Sequence, residues 1–200
     1  MANIFRSPNK RLSVSSAALL LAGFALASTV LGLLRTSLIN AENFNDFSRD
    51  AYFAAFKIPD FVFFALSSGA LAVAFMPILS DKLTKSGKQS AWKLTSSILN
   101  TLALGSFFLS LIILIFAPQI VSIFHFEGAQ KELCASIMRV IAVNPFLFSI
   151  STVLTTAQQA VGRFFFFAAA PLIYNVSIIV GILLFRDSLG IMAPAVGVAI

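Results

Sequence analysis

This chain has little of what most site chemistry is built from. Its 200 residues include one cysteine, one histidine and one tryptophan. A lone Cys134 cannot close an intramolecular disulfide, and it offers no cluster of metal ligands. His125 stands beside Glu127 between apolar runs, where a solvated residue is the simpler reading than a ligand or proton switch. Charge is scarce too: Asp, Glu, Lys and Arg make up 11% of the chain, against about a quarter in a soluble domain. Basic residues outnumber acidic ones, for a net charge of +6. They are sparse, however, and no basic stripe with interleaved aromatics occurs, so no nucleic-acid partner is expected. No nucleophile–base pair, phosphate-cradling glycine loop or metal-ligand spacing is present. The chain is not expected to be an enzyme, and no cofactor or metal is expected.

What is present is apolar. Hydrophobic residues make up 58% of the chain, with 22 phenylalanines among them, and the mean hydropathy is +0.94. The fold class is therefore all-α, a polytopic membrane helix bundle of about six spans. An uncharged run at 12–34 is long enough to cross ~30 Å of hydrocarbon, which takes about 20 helical residues. Arg6, Lys10 and Arg11 before it, and Ala25-Leu26-Ala27 within it, resemble a signal peptide. The run continues past that triplet and more spans follow, which favours a retained helix. Residues 36–50 are short, polar and Asn-rich, and read as a loop with some helix. Further spans are expected at 51–79, 94–124, 140–161 and 164–185, with a loop at 80–93. The stretch 94–124 exceeds the need and must tilt, kink near Pro118 or project from the bilayer. The last stretch, 188–200, is too short to span, so the chain is expected to end inside a sixth helix, as a fragment of a longer bundle.

Lys and Arg concentrate in cytoplasmic loops. On one side lie Arg6, Lys10, Arg11, Lys82, Lys85, Lys88, Lys93 and Arg163; on the other, Arg35, Arg49, Lys131, Arg139 and Arg186. Eight against five favours a cytoplasmic N-terminus in a multi-pass protein of the cytoplasmic membrane.

The candidate site is where charge interrupts the apolar pattern. Asp50, Lys57 and Asp60 lie in or beside the second span, and Arg35 closes the first. Ionisable groups at membrane depth cost several kcal/mol and so face a bundle interior or a wet cavity. Lys57 and Asp60 are three residues apart and can share a helix face. They could line a cavity for an anionic headgroup, or neutralise one another, or snorkel to the interface. Pro59 removes the donor for the Ala55 carbonyl, so a helix break is expected there, with a second at Gly69. A broken helix beside charges is how many transporters build a midplane binding site. Arg49 reads as ordinary interfacial flanking. The fourth span carries a polar stripe (Ser149, Ser151, Thr152, Thr155, Thr156, Gln158, Gln159) that could line a water path or bond to neighbouring helices. Small residues at Ser67–Ala70, Ala72 and Ala168–Ala170 suit close helix packing.

Three stretches carry a family resemblance: Leu31-Gly32-Leu33-Leu34-Arg35, then Asp50 through Asp60, then Gly69-Ala70 with Ala74-Phe75-Met76-Pro77-Ile78-Leu79. Gly162-Arg163-Phe164 with Pro171 and Asn175 adds a fourth. In this order and spacing they resemble the MurJ (MviN-type) lipid II flippases of the multidrug/oligosaccharidyl-lipid/polysaccharide exporter superfamily. The resemblance covers nearly all of the chain but only the N-terminal lobe of that family. It implies two helical lobes around a cationic cavity. Alternating access would carry an undecaprenyl-pyrophosphate-linked peptidoglycan precursor (lipid II) to the outer leaflet. Membrane lipids and cell-wall synthesis proteins are the implied partners. Arg35 matches a family cavity arginine, Asp50 an acidic residue near the outer gate, and Lys57-Pro59-Asp60 a block of basic residue, proline and usually asparagine. The chain departs from the family at Thr29, Phe63 and Phe64, where arginines are usual, and at Ser68, where a glutamate is usual. Export of another lipid-linked oligosaccharide or small amphiphile, or a non-transporting scaffold in envelope assembly, are the alternative readings.

Overall fold

A computed structural model describes residues 14–40, 44–67 and 74–199, and within them the chain is helical almost throughout. In order come α1 (Val14–Asn40), α2 (Asp46–Ser67), α3 (Met76–Val121), α4 (Gly128–Ile141), α5 (Asn144–Ala160), α6 (Phe165–Leu189) and α7 (Met192–Ala199). The basic tail before Val14 and the expected break at Gly69 lie outside the described residues.

Four stretches are long and apolar enough to cross a membrane: Ser15–Asn40, Met76–Phe124, Gly128–Ala160 and Phe165–Leu189. α2 is not among them, because Asp46, Arg49, Asp50, Lys57 and Asp60 dilute its hydropathy.

Several boundaries differ from the sequence reading, each for a physical reason. The helix does not break at Pro59: α2 carries that proline inside it, and Pro59 is among the fully buried side chains. One lost hydrogen bond is tolerated when packing supports the turns on either side. The expected span 51–79 does not run through to its end: Pro77 lies in the first turn of a new helix, α3, where a missing N–H costs nothing. The expected loop at 80–93 is helical. Within it the backbone leaves helical angles only at Gly87 (φ 79°, ψ 174°), a conformation that suits glycine. Pro118, the expected kink, lies within α3.

The segment between the expected spans 94–124 and 140–161 forms a helix of its own, α4. Its buried residues Cys134, Ile137, Met138 and Ile141 follow the i, i+3, i+4, i+7 spacing of an amphipathic helix. α4 and α5 together form one membrane-length stretch, interrupted at Ala142–Val143 just before Pro145.

The main core joins Ala51, Ala55 and Phe56 of α2 to Ile113 and Ala117 of α3, Ile137 and Met138 of α4, and Ile178 and Ile182 of α6. A smaller core packs Phe75, Leu79 and Ala91 against Val153 of α5. α1 is the least enclosed span and rests chiefly on α6.

Candidate functional site

α2 turns two of its faces to different tasks. Ala51, Ala54 and Ala55 are buried in the core, while Lys57 and Asp60 lie exposed on the opposite side. Those two side chains line one groove of about 670 Å³ between α2, α5 and α6. Ser151 and Thr152 of α5 and Pro171 and Tyr174 of α6 form its other walls. Lys57 and Asp60 share a face as their spacing requires, but neither enters an ion pair among the described residues. The Lys57 ammonium lies 5.7 Å from the centre of the Phe124 ring, an arrangement worth about 0.5–2 kcal/mol depending on solvation.

An aromatic chain runs through the groove. Phe63 meets Phe148 edge-on at 5.5 Å, and Phe148 meets Tyr174 at 5.8 Å. The chain ends at Arg35, whose guanidinium lies 5.8 Å from the Tyr174 ring centre. Arg35, Asp60, Tyr52 and Tyr174 thus lie within electrostatic reach of one another. The groove offers a cation at its edge, a cation and a carboxylate on its floor, and flat apolar walls between them.

Arg35 is held in place by the fit of α1 on α6. Asn175 donates from Nδ2 to the Ser28 carbonyl (3.1 Å) and to the Ser28 hydroxyl (3.0 Å). One turn along, a Cβ on Gly32 would sit 3.8 Å from Asn175, so the helices approach closely at this level. Phe24 against Phe165, at 5.7 Å, extends the contact down α1.

Asp50 does not join the groove. It is exposed in the second turn of α2, near the Arg49–Asp46 ion pair. Arg49 also donates to the Asn40 carbonyl at 2.7 Å, tying the end of α1 to the start of α2. Exposed pairs of this kind contribute about 0–1 kcal/mol. Arg49→Ala should therefore lower the melting temperature by only a few degrees; a large drop would mean that the Arg49 link between α1 and α2 carries more than an exposed pair.

The hydroxyls of α5 act locally more than across the bundle. Ser149 donates to the Pro145 carbonyl (2.6 Å), Thr152 to Phe148 (2.8 Å) and Thr155 to Ser151 (2.8 Å). Back-bonding of this kind satisfies a hydroxyl at membrane depth, and only Ser151 and Thr152 of the stripe reach the groove. Sequence reasoning did not single out Phe148 or Tyr174. Their signal is a contact between distant helices, which no local pattern carries. No cluster of three or more potential metal ligands occurs among the described residues.

The family described as "Lipid II flippase MurJ" matches residues 44–200. Among curated proteins, the lipid II flippase MurJ of Thermosipho africanus is 29% identical over 175 residues, covering 85% of this chain and 35% of that protein. The probable lipid II flippase MurJ of Thermotoga maritima is 31% identical over 160 residues, covering 78% and 33%. That of Burkholderia cenocepacia is 28% identical over 167 residues, covering 82% and 32%. The chain spans about a third of the length of these relatives.

Proposed function

This chain belongs to the lipid II flippase MurJ family, and from that premise we propose that it forms the first lobe of a transporter for lipid-linked peptidoglycan precursor. The cargo is lipid II, moved across the cytoplasmic membrane by alternating access, with the N-terminus of the chain on the cytoplasmic side. One observation carries the reading: Lys57 and Asp60 line a groove walled by aromatic rings, and Arg35 of another helix lies over Tyr174, one of those walls. Charges there are justified only by a polar cargo or a wet path. Arg35 supplies a planar fork of donors suited to a pyrophosphate, and Lys57 a mobile point charge. Asp60 offsets one of the two positive charges of the unloaded groove and competes with the cargo for them, which favours release. Asp50, outside the groove, belongs to the outer gate. Proteins of cell-wall synthesis would dock elsewhere on the full-length protein.

Phe63 and Phe64 favour a second reading. Both line the groove, at positions where the resemblance expects arginine. With fewer cations the positive field is weaker, while the rings offer flat faces to apolar or sugar surfaces. Another lipid-linked oligosaccharide would suit such walls.

The test is complementation of a flippase-depleted bacterium by the full-length gene, scored by lipid II exposure on the outer leaflet. Rescue is expected. Failure by an inserted, stable protein would transfer the assignment to a different lipid-linked cargo. In the rescuing protein, Lys57→Met should slow transport at subsaturating substrate about tenfold, the equivalent of ~1.4 kcal/mol. Lys57→Arg should retain most of it. Equal rates in all three proteins would remove Lys57 from the site.

A further inference from the structure

Lys57 and Asp60 are placed to neutralise one another and do not. They stand one turn apart on the same face of α2, at the i, i+3 spacing where opposite charges meet. No ion pair joins them among the described residues, although both are exposed to the same groove. The Lys57 ammonium has another partner, the ring of Phe124, with 5.7 Å to its centre. The order of the charges accounts for part of this, since a base preceding an acid along a helix is the weaker arrangement. The ring accounts for the rest: a cation over an aromatic face outweighs an exposed helix pair.

Phe124 comes from the corner between α3 and α4, where it closes a short 3-10 turn, Ser122–Phe124. The Ser122 hydroxyl bonds back to the Pro118 carbonyl at 3.0 Å. His125 then turns the chain in the left-handed region (φ 57°, ψ 26°), which histidine enters more readily than most side chains. Phe124 itself is half-buried: it packs against the main core, and the Phe126 ring lies 6.2 Å away. The ring is therefore fixed by its own surroundings, whereas the lysine stem is flexible. Phe124 is the anchor and Lys57 the part that can move.

We propose that Phe124 is a positioning residue for the groove, holding the Lys57 ammonium off Asp60 so that it stays available to the anionic headgroup of the cargo. This role rests on the groove being the cargo path. Without the ring, Lys57 would close onto Asp60, and a free cation and a free carboxylate would be lost together. The net charge of the groove would not change, but its hold on an anion would weaken. Phe124 thus acts on cargo affinity through Lys57 alone.

Two measurements on the full-length protein test this. In detergent, a water-soluble carbodiimide joins Lys57 to Asp60 only when the two side chains meet. The amide forms with loss of one water, taken up by the carbodiimide as a urea, and peptide mass spectrometry reads the mass change. Phe124→Leu should raise the yield of that crosslink about fivefold, the equivalent of ~1 kcal/mol. Phe124→Trp keeps an aromatic face and should not raise it. In reconstituted vesicles, Phe124→Leu should raise the apparent KM for lipid II about fivefold and leave the maximal rate unchanged. In an Asp60→Asn background the same substitution should have no effect, because Lys57 has no carboxylate to close on; a structural defect would persist there. Equal crosslinking in the unaltered protein and Phe124→Leu would overturn the proposal, as would a KM effect that survives Asp60→Asn. Crosslinking as expected with transport unmoved would leave the hold on Lys57 standing and overturn the cargo reading of the groove instead.

Discussion

Replacing Gly181 with leucine is expected to separate α7 from α6 and to lower the melting temperature of this 200-residue chain by roughly 10 °C. A Cβ at Gly181 would lie 2.7 Å from the Ala193 carbonyl oxygen and 2.7 Å from the Gly197 Cα. Both obstacles are backbone, so no rotamer change relieves them. The reverse substitution meets the same wall, for a Cβ at Gly197 would lie 2.5 Å from the Ser177 carbonyl oxygen and 3.0 Å from the Gly181 Cα. Overpacking of this kind costs about 3 kcal/mol at its upper range, and in a chain of this size each kcal/mol moves the melting point by about 2–4 °C. Membrane helices gain little from hydrophobic transfer between them and depend on such close approach. Gly105 is the control. Nothing lies within 4 Å of a Cβ placed there, and Gly105→Ala should be neutral or slightly stabilising through helix propensity. Thermal size-exclusion profiles of the three proteins decide the matter. An unshifted Gly181→Leu would mean that the two helices do not cross at these glycines.

Arg35→Ala is expected to cost transport without costing the protein. The guanidinium sits at the groove edge over Tyr174, away from the main core, so expression and insertion should be unchanged. What is lost is a set of charge-assisted donors to an anionic headgroup, about 2 kcal/mol or roughly thirtyfold in apparent affinity. Arg35→Lys should recover part of that loss, because the charge remains and the forked geometry does not. The variant also removes one of the two cations near Asp60, so Arg35→Ala combined with Asp60→Asn should transport better than Arg35→Ala alone. Lipid II exposure in the complemented strain measures all four proteins. Full transport by Arg35→Ala would remove Arg35 from the cargo path.

The spans were legible where hydropathy is uniform. α1 and α6 were legible as spans because their runs are long and uncharged, although α1 continues through Arg35 to Asn40, six residues past its expected end. The reading failed where helix and membrane part company. Residues 80–93 carry Lys82, Lys85, Lys88 and Lys93, and charge that disqualifies a membrane span does not disqualify a helix. α4 was passed over for the same reason, though Cys134, Ile137, Met138 and Ile141 carried its period in plain view. Pro59 misled in the other direction: the missing hydrogen bond is real, but buried packing around it keeps α2 continuous. For the site, the convergence of Lys57 and Asp60 was readable from their spacing. The link from Phe63 through Phe148 and Tyr174 to Arg35 was not, since it joins four helices that only folding brings together.

The fastening of α1 carries a mechanical consequence. Ser28 is bonded to Asn175, Phe24 abuts Phe165, and Arg35 covers Tyr174, so α1 is pinned to α6 along several turns. α6 is in turn interlocked with α7 through Gly181 and Gly197. Those three helices form one half of a clamp, and α2 with α5 forms the facing half. The groove of Lys57 and Asp60 is the gap between the jaws, with Arg35 mounted on one jaw and both α2 charges on the other. Any motion that widens the gap must draw Arg35 away from Asp60, so opening and charge separation are a single event. An anion bridging the jaws would lie between Arg35 on one and Lys57 on the other, and its own charge would decide how far the clamp closes.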